Sequence, residues 1–172
     1  MEAEVAPETA PLLVWYSGGP GGSGMIGMWT EAGPFKLDGA NRPVRNSLAF
    51  TRRHNVIYLE QPCGVGFSYS NSSSAYSMDD DESARLNYVF LQRWLAAFPA
   101  LQGRQLWLAG ESYAGMCECS PASQIWLNIL SHALRFKSAR FSPCISRASF
   151  PQTFLAWLSR SSTAPMRFCL AR

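Results

Sequence analysis

Three short apolar runs, each stopping at a cluster of turn-forming residues, set the pattern of the chain. Leu12-Leu13-Val14-Trp15-Tyr16 is the first, and Ser17-Gly18-Gly19-Pro20-Gly21-Gly22-Ser23-Gly24 follows it. The second, Asn55 to Glu60, runs into Gln61-Pro62, and the third, Gln105 to Ala109, meets Gly110. Continuous apolar runs of this length, bounded by turn residues, predict strands buried on both faces. Between the second and third runs, Ala84, Tyr88, Leu91, Leu95 and Phe98 recur at helical spacing and predict the core-facing stripe of a helix. Ser77 or Asp79 is placed to cap it, Asp79 to Glu82 complement the positive end of its dipole, and Pro99 stops it. Strand, loop, strand, helix, strand is an α/β order and predicts a largely parallel sheet flanked by helices. With three strands expected before residue 115, the sheet is left with an unpaired edge. After Met116 the periodicity weakens. Residues 123–134 are compatible with a helix, and no sheet strand is expected beyond them.

Composition adds a boundary. The 172 residues are 47% hydrophobic and 16% charged, enough for one domain with a core and unlike a disordered chain. Residues 1–115 carry 8 Lys/Arg against 11 Asp/Glu, whereas residues 116–172 carry 7 against 1. The shift divides the chain into an N-terminal extension (1–10), an α/β portion (11–115) and a basic tail (116–172) that reads as having a different sequence origin. The start, Met-Glu-Ala-Glu-Val-Ala-Pro-Glu, lacks the basic and apolar regions of a secretory leader. No apolar run reaches the roughly 18 residues of a membrane span. Nothing points to nucleic acid beyond the charge of the tail.

Five cysteines, at 63, 117, 119, 144 and 169, cannot all pair with one another. Cys117-x-Cys119 has the wrong spacing for a zinc knuckle and no second ligand pair, so neither a metal nor another cofactor is expected. Asn71-Ser72-Ser73 is a glycosylation sequon, meaningful only for a secreted chain.

The chemistry concentrates at Gly110-Glu111-Ser112-Tyr113-Ala114-Gly115, a Gly-x-Ser-x-Gly pattern at the end of a predicted strand. A sharp strand-to-helix turn there would push the Ser112 hydroxyl into the open as a nucleophile. The glycine run at 18–24 reads either as a flexible loop or as a cradle whose backbone N–H groups hold an anion or an oxyanion.

Three ordered blocks together resemble the serine carboxypeptidase family of the α/β-hydrolase fold. The first is Gly18-Gly19-Pro20-Gly21 with Ser23, Gly27, Glu31 and Gly33-Pro34-Phe35. The second is Asn55 to Pro62 followed by Gly64-Val65-Gly66-Phe67-Ser68-Tyr69. The third is Asn87-Tyr88, Phe98-Pro99 and the serine motif itself. The resemblance covers residues 11–115, the N-terminal portion of such a domain, and implies an incomplete α/β-hydrolase fold. It implies Ser112 as nucleophile, with the backbone N–H groups of Gly19 and Tyr113 as oxyanion donors. Glu111 and Glu60 are implied as paired acids that share a proton and bind the substrate's terminal carboxylate, beside Ser17 and Gly18. The implied reaction is hydrolysis of C-terminal peptide bonds through an acyl-serine, on peptide or protein C-termini, in a secretory, vacuolar or lysosomal setting. Acyl transfer or ester hydrolysis on the same scaffold is the alternative, as is an inactive truncated form.

The chain departs from the family at Ser17, where asparagine is usual, at Gly22-Ser23-Gly24 in place of Cys-Ser-Ser, and after Gly115. The triad order is Ser, Asp, His. No aspartate follows Ser112, and the sole later histidine, His132, lies 20 residues on, about 30 Å along a straight helix. His132 is therefore expected to be an ordinary histidine. His54 is expected to cap the exposed start of its strand, at the end of the sheet away from any active site.

Overall fold

The computed structural model describes residues 1–114 and the strand at 139–141. Its strands are β1 (Leu12–Tyr16), β2 (Phe35–Leu37), β3 (Pro43–Arg45), β4 (Asn55–Leu59), β5 (Leu106–Gly110) and β6 (Ala139–Phe141). The helices are α1 (Gly24–Ile26), which continues into a π-helical turn over Gly27–Glu31, and α2 (Asp80–Ala97). A four-stranded sheet has the order β4-β1-β5-β6, and every pairing in it is parallel. β2 and β3 form a separate antiparallel hairpin.

The three long runs become the three central strands, and their side chains divide by the two-residue period of a pleated strand. Leu12, Val14 and Tyr16 of β1 join Leu106 and Leu108 of β5 on one face, where Ala84, Leu91 and Leu95 of α2 cover them. Leu13 and Trp15 join Val56 and Ala109 on the other face, under Ala32 and Phe50. Runs that look uniformly apolar are thus runs that serve two cores.

Helix α2 begins and ends where the sequence says. The Asp79 carboxylate caps it by accepting from the Glu82 N–H at 2.9 Å, and Pro99 follows its last turn. Of the expected stripe, Ala84, Leu91 and Leu95 are buried and Tyr88 packs at the margin. Phe98 departs from it. As the C-terminal cap it turns out of helical geometry, half exposed, and leans on the Trp94 ring with centroids 4.6 Å apart. Ser83 and Asn87 point to the Gln61 side-chain oxygen at 3.2 and 3.3 Å, which fastens the helix to the loop leaving β4.

The structure adds three details. β5 is paired by β6, a strand inside the segment where none was expected, and the four-stranded sheet ends at β4 and β6. Residues 1–10 are bound into the fold rather than extending from it. Met1 and Val56 exchange both backbone hydrogen bonds at 2.8 Å, and the buried Asn55 amide donates to the carbonyls of Pro7 and Ala10 while accepting from the Ala3 N–H. Arg104 grips the same two carbonyls at 2.8 and 3.0 Å. His54 stands directly before β4, half-buried, its ring set edge-on against Trp107 with centroids 5.8 Å apart. The helix expected over 123–134 lies outside the described residues.

Leu91 is 1% exposed at the centre of the α2–sheet interface. Leu91→Ala is expected to cost about 2–5 kcal/mol, as buried leucine truncations do. Chemical denaturation measures it, and a loss well under 1 kcal/mol would mean that α2 is not seated on the sheet as described.

Candidate active site

The site forms where two neighbouring strands send their chains to opposite faces. After β1 the chain turns toward the face that holds Ala32, and after β5 it turns toward the face that holds Ala114. β1 and β5 are adjacent and parallel, so their diverging exits open a crevice at the C-terminal end of the sheet, the usual ligand position in open α/β sheets.

Ser112 stands in this crevice, two residues beyond β5. It is exposed, and its φ of 56° lies in the left-handed region that a non-glycine residue enters at a cost of about 1–3 kcal/mol. The neighbours hold it there. The Glu111 N–H continues the β1–β5 ladder by donating to the Tyr16 carbonyl at 3.2 Å, and the Ala114 N–H returns to the Glu111 carbonyl at 3.1 Å. The Tyr113 hydroxyl donates to the Asp80 carboxylate, with its oxygens at 2.9 and 3.0 Å, and so ties the turn to the first residue of α2. Strand end, left-handed serine and tight return are the geometry of a nucleophile elbow.

The glycine-rich loop lies directly against this elbow. A Cβ placed on Gly18 would stand 2.7 Å from the Glu111 carbonyl oxygen and 2.8 Å from the Ser112 Cβ. Only glycine admits that approach. The loop is then closed on itself, with the Gly22 N–H donating to the Gly18 carbonyl and the Ser17 hydroxyl donating to the Ser23 carbonyl at 2.9 Å. Gly19 follows, exposed and with a φ of 128° in the region open to glycine.

The two glutamates expected to act together have different neighbours. The Glu60 carboxylate accepts from the Ser23 hydroxyl, from the Met25 N–H at 3.2 Å and from the Phe67 N–H at 2.8 Å. Burial pushes its acidity one way, but the donors from Ser23, Phe67, Met25 and Gly24 outweigh it and hold the carboxyl below its ordinary range. Gly66 sits so near that any side chain there would overlap the Glu60 carboxylate. Glu60 thus works as a tie between two loops. The Glu31 carboxyl is raised instead, first by burial and then by the charge of Glu111. Sequence reading quoted Glu31 only as part of a motif. Its placement comes from the corner that follows it. Buried Asn46 donates to the carbonyls of Glu31 and Gly33 at 3.2 and 2.9 Å, and the Tyr58 hydroxyl donates to Ala32 at 3.1 Å.

No base stands beside Ser112 among the described residues. His54 precedes β4, whose five residues separate it from the C-terminal end of the sheet by about 16 Å. Burial, joined by the charge of Arg53, lowers its pKa despite a hydrogen bond to Phe50. His132 lies outside the described residues. Among the described residues no group of three or more His, Cys, Asp or Glu could hold a metal ion, and no helix is long and apolar enough to cross a membrane.

Comparisons with known proteins match this arrangement. The profile of the serine carboxypeptidase family fits residues 1–136, ten residues earlier and 21 later than the motifs alone suggest. Serine carboxypeptidase-like 46 of Arabidopsis thaliana is 47% identical over 116 residues, covering 66% of this chain and 25% of its own length. Serine carboxypeptidase-like 32 of the same plant is 45% identical over 117 residues, with the same coverage. The crystal structure of Kex1(Δ)p, a prohormone-processing carboxypeptidase from Saccharomyces cerevisiae, superposes with a TM-score of 0.62 at 25% identity, over 77% of this chain and 30% of that one. The sheet and its flanking helices are therefore part of an α/β-hydrolase fold, and the chain spans about a quarter of the length of the curated relatives it matches.

Two outcomes test the geometry. Gly18→Ala should cost about 1–3 kcal/mol through overpacking against the elbow. Gly39→Ala, where a Cβ meets nothing within 4 Å, should stay within about 0.5 kcal/mol of the parent. Equal denaturation midpoints for the two variants would contradict the close approach. The second outcome concerns Glu31. A raised carboxyl binds its proton more tightly folded than unfolded, so it makes stability fall as pH rises from its ordinary 4.5 through the raised value. Glu31→Gln should remove that fall, its stability relative to the parent rising across this window and then levelling. A difference that does not change with pH would show that Glu31 is not perturbed.

Proposed function

The chain belongs to the serine carboxypeptidase family, and from that premise we propose that residues 1–114 supply the nucleophile side of a serine-type carboxypeptidase site acting on peptide C-termini. Ser112, held in the left-handed turn against the Gly18 backbone, is the observation that carries this reading. Its Oγ attacks the carbonyl of the last peptide bond. The developing oxyanion is held by the backbone N–H groups of Gly19 and Tyr113, donors fixed before the reaction begins. The free amino acid departs, and water then releases the acyl group from Ser112.

Recognition of the terminal carboxylate falls to the paired acids. Glu111 is kept in that role, and Glu31, whose carboxyl is raised by burial and by the charge of Glu111, is taken as its partner in place of Glu60. Two carboxyl groups near each other retain one proton, which can be donated to an anion. The interaction weakens as pH rises and that proton is lost. Ser17 and Gly18 line the same loop. Because the Ser17 hydroxyl already donates to Ser23, carboxylate recognition rests more heavily on the acids, which keeps ester hydrolysis or acyl transfer as a competing activity.

A second reading is that the chain alone is inactive. Its support is the position of His54, the sole described histidine, at the opposite end of the sheet from Ser112. The base that accepts the Ser112 proton would then come from outside residues 1–114.

A fluorophosphonate probe distinguishes these readings. In the complete hydrolase domain, labelling is expected and Ser112→Ala should abolish it; equal labelling of the alanine variant would overturn the assignment. The 172-residue chain, assayed beside its own Ser112→Ala variant on free peptides, C-terminally blocked peptides and acyl esters, should show no difference if it lacks a base. Turnover well above the variant would defeat the inactive reading, and the preferred substrate would separate carboxypeptidase from ester chemistry.

A further inference from the structure

We propose that the pocket formed just before β4 binds a small carboxylic acid with an apolar body, its carboxylate on Arg52 and Arg53 and its body on Leu48 and Phe50. The pocket lies at the opposite end of the sheet from Ser112, since β4 leads away from it toward the Ser112 end. Its occupancy does not depend on any activity of Ser112.

The pocket has a volume of about 230 Å³ and is walled by Ser47, Leu48, Phe50, Arg52, Arg53 and His54. Sites for drug-sized ligands run to about 300–1,000 Å³, so this one suits a smaller body, of the size of a short phenylalkanoate. Its wall is built before any ligand arrives. The side-chain oxygen of buried Asn46 accepts from the Leu48 N–H at 3.1 Å, and the Ala49 N–H returns to the Asn46 carbonyl at 3.2 Å. The Phe50 N–H is anchored on the Ala32 carbonyl at 3.0 Å, and the 3-10 turn Phe50–Arg52 follows. The N–H groups of Arg53 and His54 both donate to the Phe50 carbonyl, at 3.1 and 3.0 Å. Arg52 then reaches back, its Nη1 donating to the Ser47 carbonyl at 2.9 Å. A segment fixed at so many points loses little freedom when a ligand binds.

Its charge is unspent. Arg52 and Arg53 are adjacent and exposed, and no carboxylate among the described residues pairs with either; the ion pairs there engage Arg42, Arg45 and Arg85. Glu4 lies against the same turn, its N–H donating to the Thr51 carbonyl at 2.7 Å, yet its carboxylate is taken by Arg45. One bond to Ser47 leaves the Arg52 guanidinium with further donors, and a planar guanidinium meets a carboxylate through two parallel hydrogen bonds. The buried His54 Nδ1 has no hydrogen-bond partner of good geometry, which leaves one more polar atom of the wall unmet.

Two guanidinium groups alone would suit any anion. The apolar side of the pocket makes the selection. Leu48 is 80% exposed, and Phe50 is half-buried, its ring leaning on Trp15 with centroids 5.9 Å apart. Covering these two side chains removes apolar surface from water. An inorganic anion leaves that surface wet, and a neutral apolar molecule leaves the guanidinium groups unmatched. A short acid with an aryl or alkyl body uses both.

The test titrates the full 172-residue chain with hydrocinnamate. Calorimetry reads the affinity, and NMR follows the His54 ring, with His54→Gln used to tell its signals from those of His132. Saturable one-to-one binding that moves the His54 signals is expected. Arg53→Gln, which keeps the Arg52–Ser47 bond, and Leu48→Asp should each weaken binding about tenfold while leaving the denaturation midpoint near that of the parent. Arg93→Gln, at an exposed position of α2, should leave the affinity unchanged. Hydrocinnamide and inorganic phosphate should each bind at least about tenfold more weakly than the acid. Absence of saturable binding, parental affinity in Arg53→Gln or Leu48→Asp, or an equal loss in Arg93→Gln would overturn the site. An amide or a phosphate that matches the acid would overturn the class of ligand.

Discussion

Everything at the site depends on the pairing of β1 with β5 in one parallel register, Leu12 opposite Leu106 through to Tyr16 opposite Gly110. That register makes both strands end together, so the residues just after them meet. Gly18 is pressed to the Glu111 carbonyl and to Ser112 because the two exits leave the sheet at the same level. A shift of one residue would turn every side chain of β5 to the opposite face and part the loop from the serine. The apolar alternation that fills the two cores is therefore also what sets Ser112 against the glycine loop.

The loops reach this end by separate ties, each of which spends a polar group. Glu60 joins the turn at Ser23–Met25 to the loop at Phe67, and Asn46 with Tyr58 holds the corner that carries Glu31. Gln61 receives Ser83 and Asn87 from α2, while Tyr113 reaches Asp80 at the start of the same helix. A carboxylate used as a structural tie is ionised and satisfied. A carboxylate left beside another charge is perturbed and available. Glu60 and Glu31 separate on that basis, although both belong to the motifs that mark the family.

The legible parts of the chain are those governed by period and punctuation. The strands at 12–16, 55–59 and 106–110 and the helix from Asp80 announce themselves by apolar runs and a capping carboxylate, and the elbow by its glycines. The hairpin of β2 and β3 does not, since three residues per strand are too few to show an alternation, and its Phe35, Leu37 and Val44 stay exposed. β6 is equally short. The docking of residues 1–10 was invisible for another reason: it is made largely of backbone hydrogen bonds, which leave no mark in composition. The position of Glu31 is equally illegible in sequence, because its backbone is held by a buried asparagine 15 residues away.

The bond between Met1 and Val56 carries a directional consequence. Two residues that exchange both backbone hydrogen bonds do so as an antiparallel pair, so the first residue runs against β4 on the side away from β1. From Met1 the chain heads toward Asn55 and Thr51, at the start of β4. Polypeptide joined ahead of Met1, whether a fusion partner or an affinity tag, would be guided the other way, along the outer border of β4 toward Glu60. An N-terminal addition to this chain is thus steered along β4 to the end of the sheet that carries Ser112, and would crowd the crevice there.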